Sequence, residues 1–163
     1  MRDGEVLMVL RASMGRRVLG VGALAGLGLM LVYLALVQLP SAGWLFFMLG
    51  TGALSLWLAE RMWRATGVHL ELTREGLRSS DGTMIAPLAD VAAVERGVFA
   101  FKPSSGFLIR LHGKAPKAWQ PGLWWRLGRR VGVGGVTTSS EAKVMAEMMS
   151  DLAAARAADR PRE

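Results

Sequence analysis

Between Val18 and Leu39 the chain runs for 22 residues without a charged side chain (VLGVGALAGLGLMLVYLALVQL). A helix of that length, rising ~1.5 Å per residue, crosses a ~30 Å hydrocarbon layer. A second uncharged run, the 18 residues from Ala42 to Ala59, begins after only Pro40 and Ser41. The polypeptide must reverse at once, so the two helices, at about 18–39 and 42–62, are expected to be antiparallel neighbours in a transmembrane hairpin. Trp44 near one end of the second run and Trp57 and Trp63 near the other stand where indole rings mark a membrane–water interface.

Lys and Arg near the two runs set an expected orientation. Arg2, Arg11, Arg16 and Arg17 precede the first, Arg61 and Arg64 follow the second, and the connection has none. Both termini are therefore expected in the cytoplasm, with the hairpin in the inner membrane. A cleaved secretory signal is the competing reading of the first run. It is disfavoured by the length, by the lack of a following A-x-A site and by the second apolar run. Gly22 and Gly26 on the first helix, and Thr51, Ser55 and Ala59 on the second, form small-residue stripes. Such stripes let helix backbones approach in lipid, to close the hairpin on itself or to dock a second subunit. Residues 1–17 form a cytoplasmic N-terminal segment whose apolar stretch, Val6 to Leu10, is expected to lie on the membrane surface or to be a disordered tail.

The 163 residues are 52% hydrophobic with a mean hydropathy of +0.30, yet 20% are charged. The apolar excess is therefore concentrated in the two runs, leaving room for one small water-facing domain. With no cysteine, a disulfide framework, a thiolate metal site and a cysteine nucleophile are all excluded. The formal charge is +7, and sixteen arginines outnumber four lysines, which suits a partner rich in phosphate or carboxylate.

From Gly67 onward the pattern changes to short alternating runs divided by turn residues, the mark of antiparallel strands. Val68 to Leu72 alternates strictly, Gly76 to Ser79 follows, Asp81–Gly82 is a favoured hairpin turn and Thr83 to Leu88 returns. Val91 to Val94, Val98 to Phe101 and Phe107 to Leu111 are further strands. Arg129 to Val136 is read as a final strand with glycine bulges or as a loop. Thr138 with Glu141 forms a capping box, and Met145, Met148, Met149 and Leu152 repeat with helical spacing. A C-terminal helix is expected to cover an antiparallel sheet of about seven strands within residues 67–155, before a frayed tail at 156–163.

The stretch Glu71 to Gly97 (ELTREGLRSSDGTMIAPLADVAAVERG) resembles the bacterial PH-like membrane proteins, whose strand, turn and strand pattern reads L-T-x-x-G-L, D-G, I-P-L-x-D-I-x-x-V. Pro87, Leu88, Asp90, Val91 and Val94 fill the matching places, with Ala86 at the first isoleucine, and the likeness extends over residues 68 to 155. The resemblance implies an α+β PH-like domain behind a two-helix membrane hairpin. It further implies a membrane-tethered binding or scaffolding module without a common catalytic centre. The phosphoinositide-binding basic motif of many eukaryotic PH domains has no counterpart here, because Arg74 and Arg78 are offset by Glu71 and Glu75.

From Arg96 to Ser140 there are eight Lys or Arg and no Asp or Glu. Within this stretch Lys114, Lys117, Trp119, Trp124, Trp125, Arg126, Arg129 and Arg130 combine indoles that settle at head-group depth with cations that meet phosphate. They are the candidate residues for binding anionic lipid or a partner, against a competing reading in which some tryptophans are core and the arginines an ordinary solvated face. Nucleic acid, which the same composition can also serve, is disfavoured by tethering to the membrane. Gly128 to Gly135 lacks the G-K-[ST] and G-x-G-x-x-G spacings of phosphate loops. The threonines and serines at 137–140 are read as helix caps.

His69 and His112 are the only imidazoles; neither stands beside a serine motif, and the carboxylates are not paired as a hydrolase or metal site requires. No catalytic residue, metal or cofactor is therefore expected. The sequence points to a non-catalytic inner-membrane protein that binds the phospholipid membrane, or serves a membrane-protein complex or homo-oligomer as an accessory or assembly subunit. The alternative is a membrane enzyme acting on lipid head groups.

Overall fold

The computed structural model describes residues 5–38, 40–95 and 106–158. The two apolar runs form α1 (Met14–Gln38) and α2 (Ala42–Ala65), antiparallel and each long and apolar enough to cross a membrane. Their large apolar side chains, including Leu19, Leu29, Leu36, Phe46, Phe47 and Leu54, point outward. The buried residues are few: Gly28 and Ala35 of α1, Gly52, Ser55 and Ala59 of α2, and Ala65 at the C-terminal end of α2. A methyl group on Gly28 would lie 2.9 Å from the Gly52 carbonyl oxygen, and one on Gly52 3.1 Å from that of Gly28. These two glycines bring the backbones together. Gly22 and Gly26 are exposed with open space beside them. Each is two residues from Gly20 or Gly28, and two residues turn a helix through about 200°, placing them on its outer side. Thr51 is half-buried.

Val6–Leu10, expected to lie on the membrane or to be a tail, is instead a strand, β1. It pairs antiparallel with β2 (Leu70–Thr73), with Leu10 opposite Leu70 and Met8 opposite Leu72. The helical hairpin is thus inserted between two neighbouring strands of one sheet, and that insertion places both ends of the hairpin on the same side. Strands β3 (Gly76–Ser79) and β4 (Met84–Pro87) complete a sheet of order β1-β2-β3-β4. Between them the Asp81 carboxylate accepts the Thr83 N–H at 2.9 Å, and Gly82 takes φ +89°. Gly76 takes φ +149° where a side chain would meet the Ala86 carbonyl oxygen at 2.3 Å, so only glycine fits.

A single sheet of about seven strands is not what forms. The described residues contain seven strands, but β5 (Val91–Glu95), β6 (Phe107–Gln120) and β7 (Trp124–Val133) make a separate three-stranded sheet. The division falls at Pro87, which has no N–H to extend a ladder, and at the 3₁₀ turn Leu88–Asp90 that redirects the chain. The expected strand Val98 to Phe101 lies outside the described residues. The stretch from Arg129 belongs to β7, which starts earlier, at Trp124, and ends at Val133. Its turn is Gln120–Leu123, closed by the Leu123 N–H to the Gln120 carbonyl at 3.1 Å. Pro121 and Gly122 (φ +81°) supply the two central residues that a type II turn favours.

Leu10, Leu70, Leu72, Leu77, Ile85, Phe107, Ile109, Val131 and Val133 fill the core between the sheets. Helix α3 (Ser139–Ala158) covers it with Ala142, Met145, Ala146 and Met149, all buried; of the expected stripe Met145 and Met149 are buried and Met148 and Leu152 partly so, the two alanines completing the inner face. The domain is fastened to the base of the hairpin at several points. The Ser13 N–H reaches the Val136 carbonyl at 2.7 Å, and Arg16 donates to the Thr137 carbonyl at 3.0 Å. Arg17 donates to the Trp63 carbonyl at 2.8 Å, with its guanidinium 3.9 Å from the centre of the Trp63 ring. The β6–β7 turn rests on Met62 and Thr66, which a methyl group on Gly122 would meet at 3.0 and 3.2 Å.

Candidate functional site

The long β6–β7 hairpin carries every residue of the basic, tryptophan-bearing segment, and strand alternation divides them between two faces. Trp124 turns inward: it is 2% exposed within the core cluster, and its indole N–H has no protein acceptor. Trp125, the next residue, takes the outer face and lies across Gly132, whose missing side chain leaves room for the ring: a methyl there would come within 2.4 Å of it. Trp119 stands directly opposite Trp125 in the ladder, and directly opposite residues share a face. These two rings, with Lys117, Ala118, Arg126 and Leu127, line a shallow groove of about 440 Å³. Leu127 remains 56% exposed in it.

Arg126 is held by the fold. Its Nε donates to the Pro116 carbonyl at 2.8 Å, and its Nη1 to the Met84 and Ile85 carbonyls at 3.1 and 3.0 Å. It thereby ties β7 to β4 and closes the gap between the two sheets. Lys114, Lys117, Arg129 and Arg130 are exposed. Arg130 faces Arg110 across the ladder, a like-charge pair relieved by the ion pair that Arg110 makes with Glu95. The segment therefore comes together only in part: Trp119, Trp125 and Lys117 share the groove, Arg129 and Arg130 lie farther along β7, and Trp124 sits in the core.

Arg61 is a member of this neighbourhood that sequence reasoning did not single out. Its guanidinium lies 5.4 Å from the Trp57 ring centre, one helical turn earlier on α2, and 5.9 Å from that of Trp119 on β6. The i, i+4 spacing of Trp57 and Arg61 was the available signal. Through this contact the groove stands beside the end of α2, where the apolar helix gives way to charged residues.

A second, structural cluster lies on β2 and β3. Glu71 accepts from Arg78 at 2.8 Å and lies 3.2 Å from His69 Nε2. The hydrogen bond from Arg78 holds the Glu71 carboxyl below the ordinary range; partial burial opposes this, and the Arg78 charge and the His69 contact reinforce it. Asp81 is lowered chiefly by the Thr83 backbone N–H. Among the described residues no group of three or more His, Asp or Glu gathers where it could hold a metal ion. No protein-family model, curated protein or solved structure matches this chain.

Proposed function

We propose that this chain is a non-catalytic integral membrane protein of the bacterial inner membrane, with both termini in the cytoplasm. Its two-sheet domain, which resembles PH-like domains in the Glu71 to Gly97 pattern, binds anionic lipid beside its own anchor. The observation that carries this reading is the contact of Trp119 with Arg61. It puts an aromatic groove and the basic β6–β7 surface at the end of helices built to cross a bilayer. Indole rings at head-group depth, and about 1 kcal/mol for each Lys or Arg near an anionic leaflet, then hold the domain against the surface. In this reading the protein presents that surface as an accessory or assembly subunit of a membrane complex and carries out no reaction of its own.

The test must use the whole chain, because a fragment beginning at Gly67 would lack β1 and with it the core residue Leu10. Purified in mild detergent, the protein should retain anionic phospholipid visible by native mass spectrometry. Replacing Lys114, Lys117, Arg129 and Arg130 together by glutamine should remove most of that lipid without changing the melting temperature. Retention of the same lipids by both proteins would refute the assignment.

A further inference from the structure

The cations at the base of the hairpin are mostly engaged within the protein. Arg16 and Arg17 donate to main-chain carbonyls, Arg64 pairs with Glu60, and Arg126 is held by three carbonyls. Arg61 differs. Among the described residues its neighbours are the rings of Trp57 and Trp119, and no carboxylate or carbonyl accepts from it. Ring contacts attract the guanidinium through its charge but leave its five N–H donors, which point outward in its plane, in need of an acceptor. Lys117, two residues from Trp119 along β6, lines the groove with Trp119 and Trp125. Leu54, Trp57 and Arg61 follow at i, i+3 and i+7 on one face of α2, and all three are exposed.

We propose that Arg61, beside the Trp119 ring, and Lys117, which lines the groove with Trp119, bind the phosphate of a single anionic phospholipid whose acyl chains lie along Leu54 and Trp57 of α2. This rests on the reading of α1 and α2 as membrane-spanning. Guanidinium binds phosphate through two parallel hydrogen bonds, and Lys117 adds a point charge. The site differs from a diffuse basic surface in its dependence on one residue of the membrane helix, one that contributes nothing to the β6–β7 charge. Each cationic contact is expected to enrich anionic lipid about fivefold at this position.

The experiment measures quenching of tryptophan fluorescence in the full-length chain in lipid nanodiscs. A small fraction of the lipid carries brominated acyl chains, either as phosphatidylglycerol or as phosphatidylcholine, in an otherwise phosphatidylcholine bilayer. Brominated phosphatidylglycerol should quench several-fold more efficiently per molecule, and Trp57→Phe, which removes the indole beside the acyl chains, should remove much of the difference. Arg61→Gln and Lys117→Gln should each reduce the preference, the pair should abolish it, and Arg61→Lys should keep part of it. Unchanged melting temperatures show that the variants fold. Equal quenching by the two lipids in the wild type overturns the site but leaves the membrane reading standing. So does loss of preference in the Lys114→Gln, Arg129→Gln, Arg130→Gln variant with none in Arg61→Gln. Removal of the preference by soluble glycerol phosphate would show a site for free phosphate and overturn the lipid assignment. If neither brominated lipid quenches any tryptophan, the membrane reading itself fails.

Discussion

Arg126 sits in a basic run with Arg129 and Arg130, yet the structure gives it a different task, and Arg126→Met separates the two. The substitution keeps most of the aliphatic length and removes three hydrogen bonds to the carbonyls of Pro116, Met84 and Ile85. A hydrogen bond from a charged donor contributes about 1.5–3 kcal/mol, and a carbonyl left without a partner costs about 1–3 kcal/mol. Because the site is only partly buried, water recovers much of this, and the net loss should be about 2–4 kcal/mol. For a domain of roughly this size that lowers the melting temperature by about 10–20 °C. Arg129→Met and Arg130→Met, at exposed positions, should stay within about 0.5 kcal/mol of the parent. The assay is thermal unfolding followed by intrinsic tryptophan fluorescence in detergent, where buried Trp124 reports on the core beside Arg126. If Arg126→Met melts together with the other two variants, the clip between β7 and β4 does not stabilise the fold as argued.

Gly52→Val should overpack the hairpin seam by about 1–3 kcal/mol, seen as reduced helix content on heating, whereas Gly26→Ala on the open outer side should leave the melt unchanged. Gly76→Ala, with φ +149° and the Ala86 carbonyl in the way, should abolish soluble yield of the folded protein in detergent extracts. Glu71 titrates lower in the folded chain than in the unfolded one. Its contribution is therefore present above the ordinary carboxylate value of about 4.3 and is lost as pH falls through the depressed folded value. Arg78→Gln should reduce stability at neutral pH and flatten the acid limb of a pH–melting curve; an unchanged acid limb would remove Glu71 as its source.

The hairpin was legible because two uncharged runs separated by Pro40 and Ser41 leave a chain few alternatives, and β2 to β4 because strict alternation flanks an Asp-Gly turn. Helix α3 was legible from the spacing of its methionines. Strand β1 was not: five apolar residues without turn signals fit several states, and β1 pairs with β2 only across the whole helical hairpin. The continuity of β6 was hidden by local irregularity. Arg110 faces Arg130 and Ala115 faces Gly128, so residues 111–114 stand opposite Arg129 alone, and the resulting bulge breaks the alternation that marks a strand. At the candidate site, composition picked out the right hairpin but could not sort its residues. The adjacency of Trp124 and Trp125 requires them to take opposite faces, yet which one enters the core depends on register. Arg126 becomes a clip only because β4 approaches β7, which no local pattern encodes.

In the proposed topology a helical hairpin crosses the bilayer from within a sheet, so that its turn and the domain lie on opposite sides. Because the chain has no cysteine, single cysteines placed at Ser41, in the turn, and at Lys143, exposed on α3, can be labelled selectively with a membrane-impermeant maleimide in spheroplasts. Ser41→Cys should react in intact spheroplasts and Lys143→Cys only after lysis. Equal reactivity of both positions before lysis, or protection of both until lysis, would contradict the account.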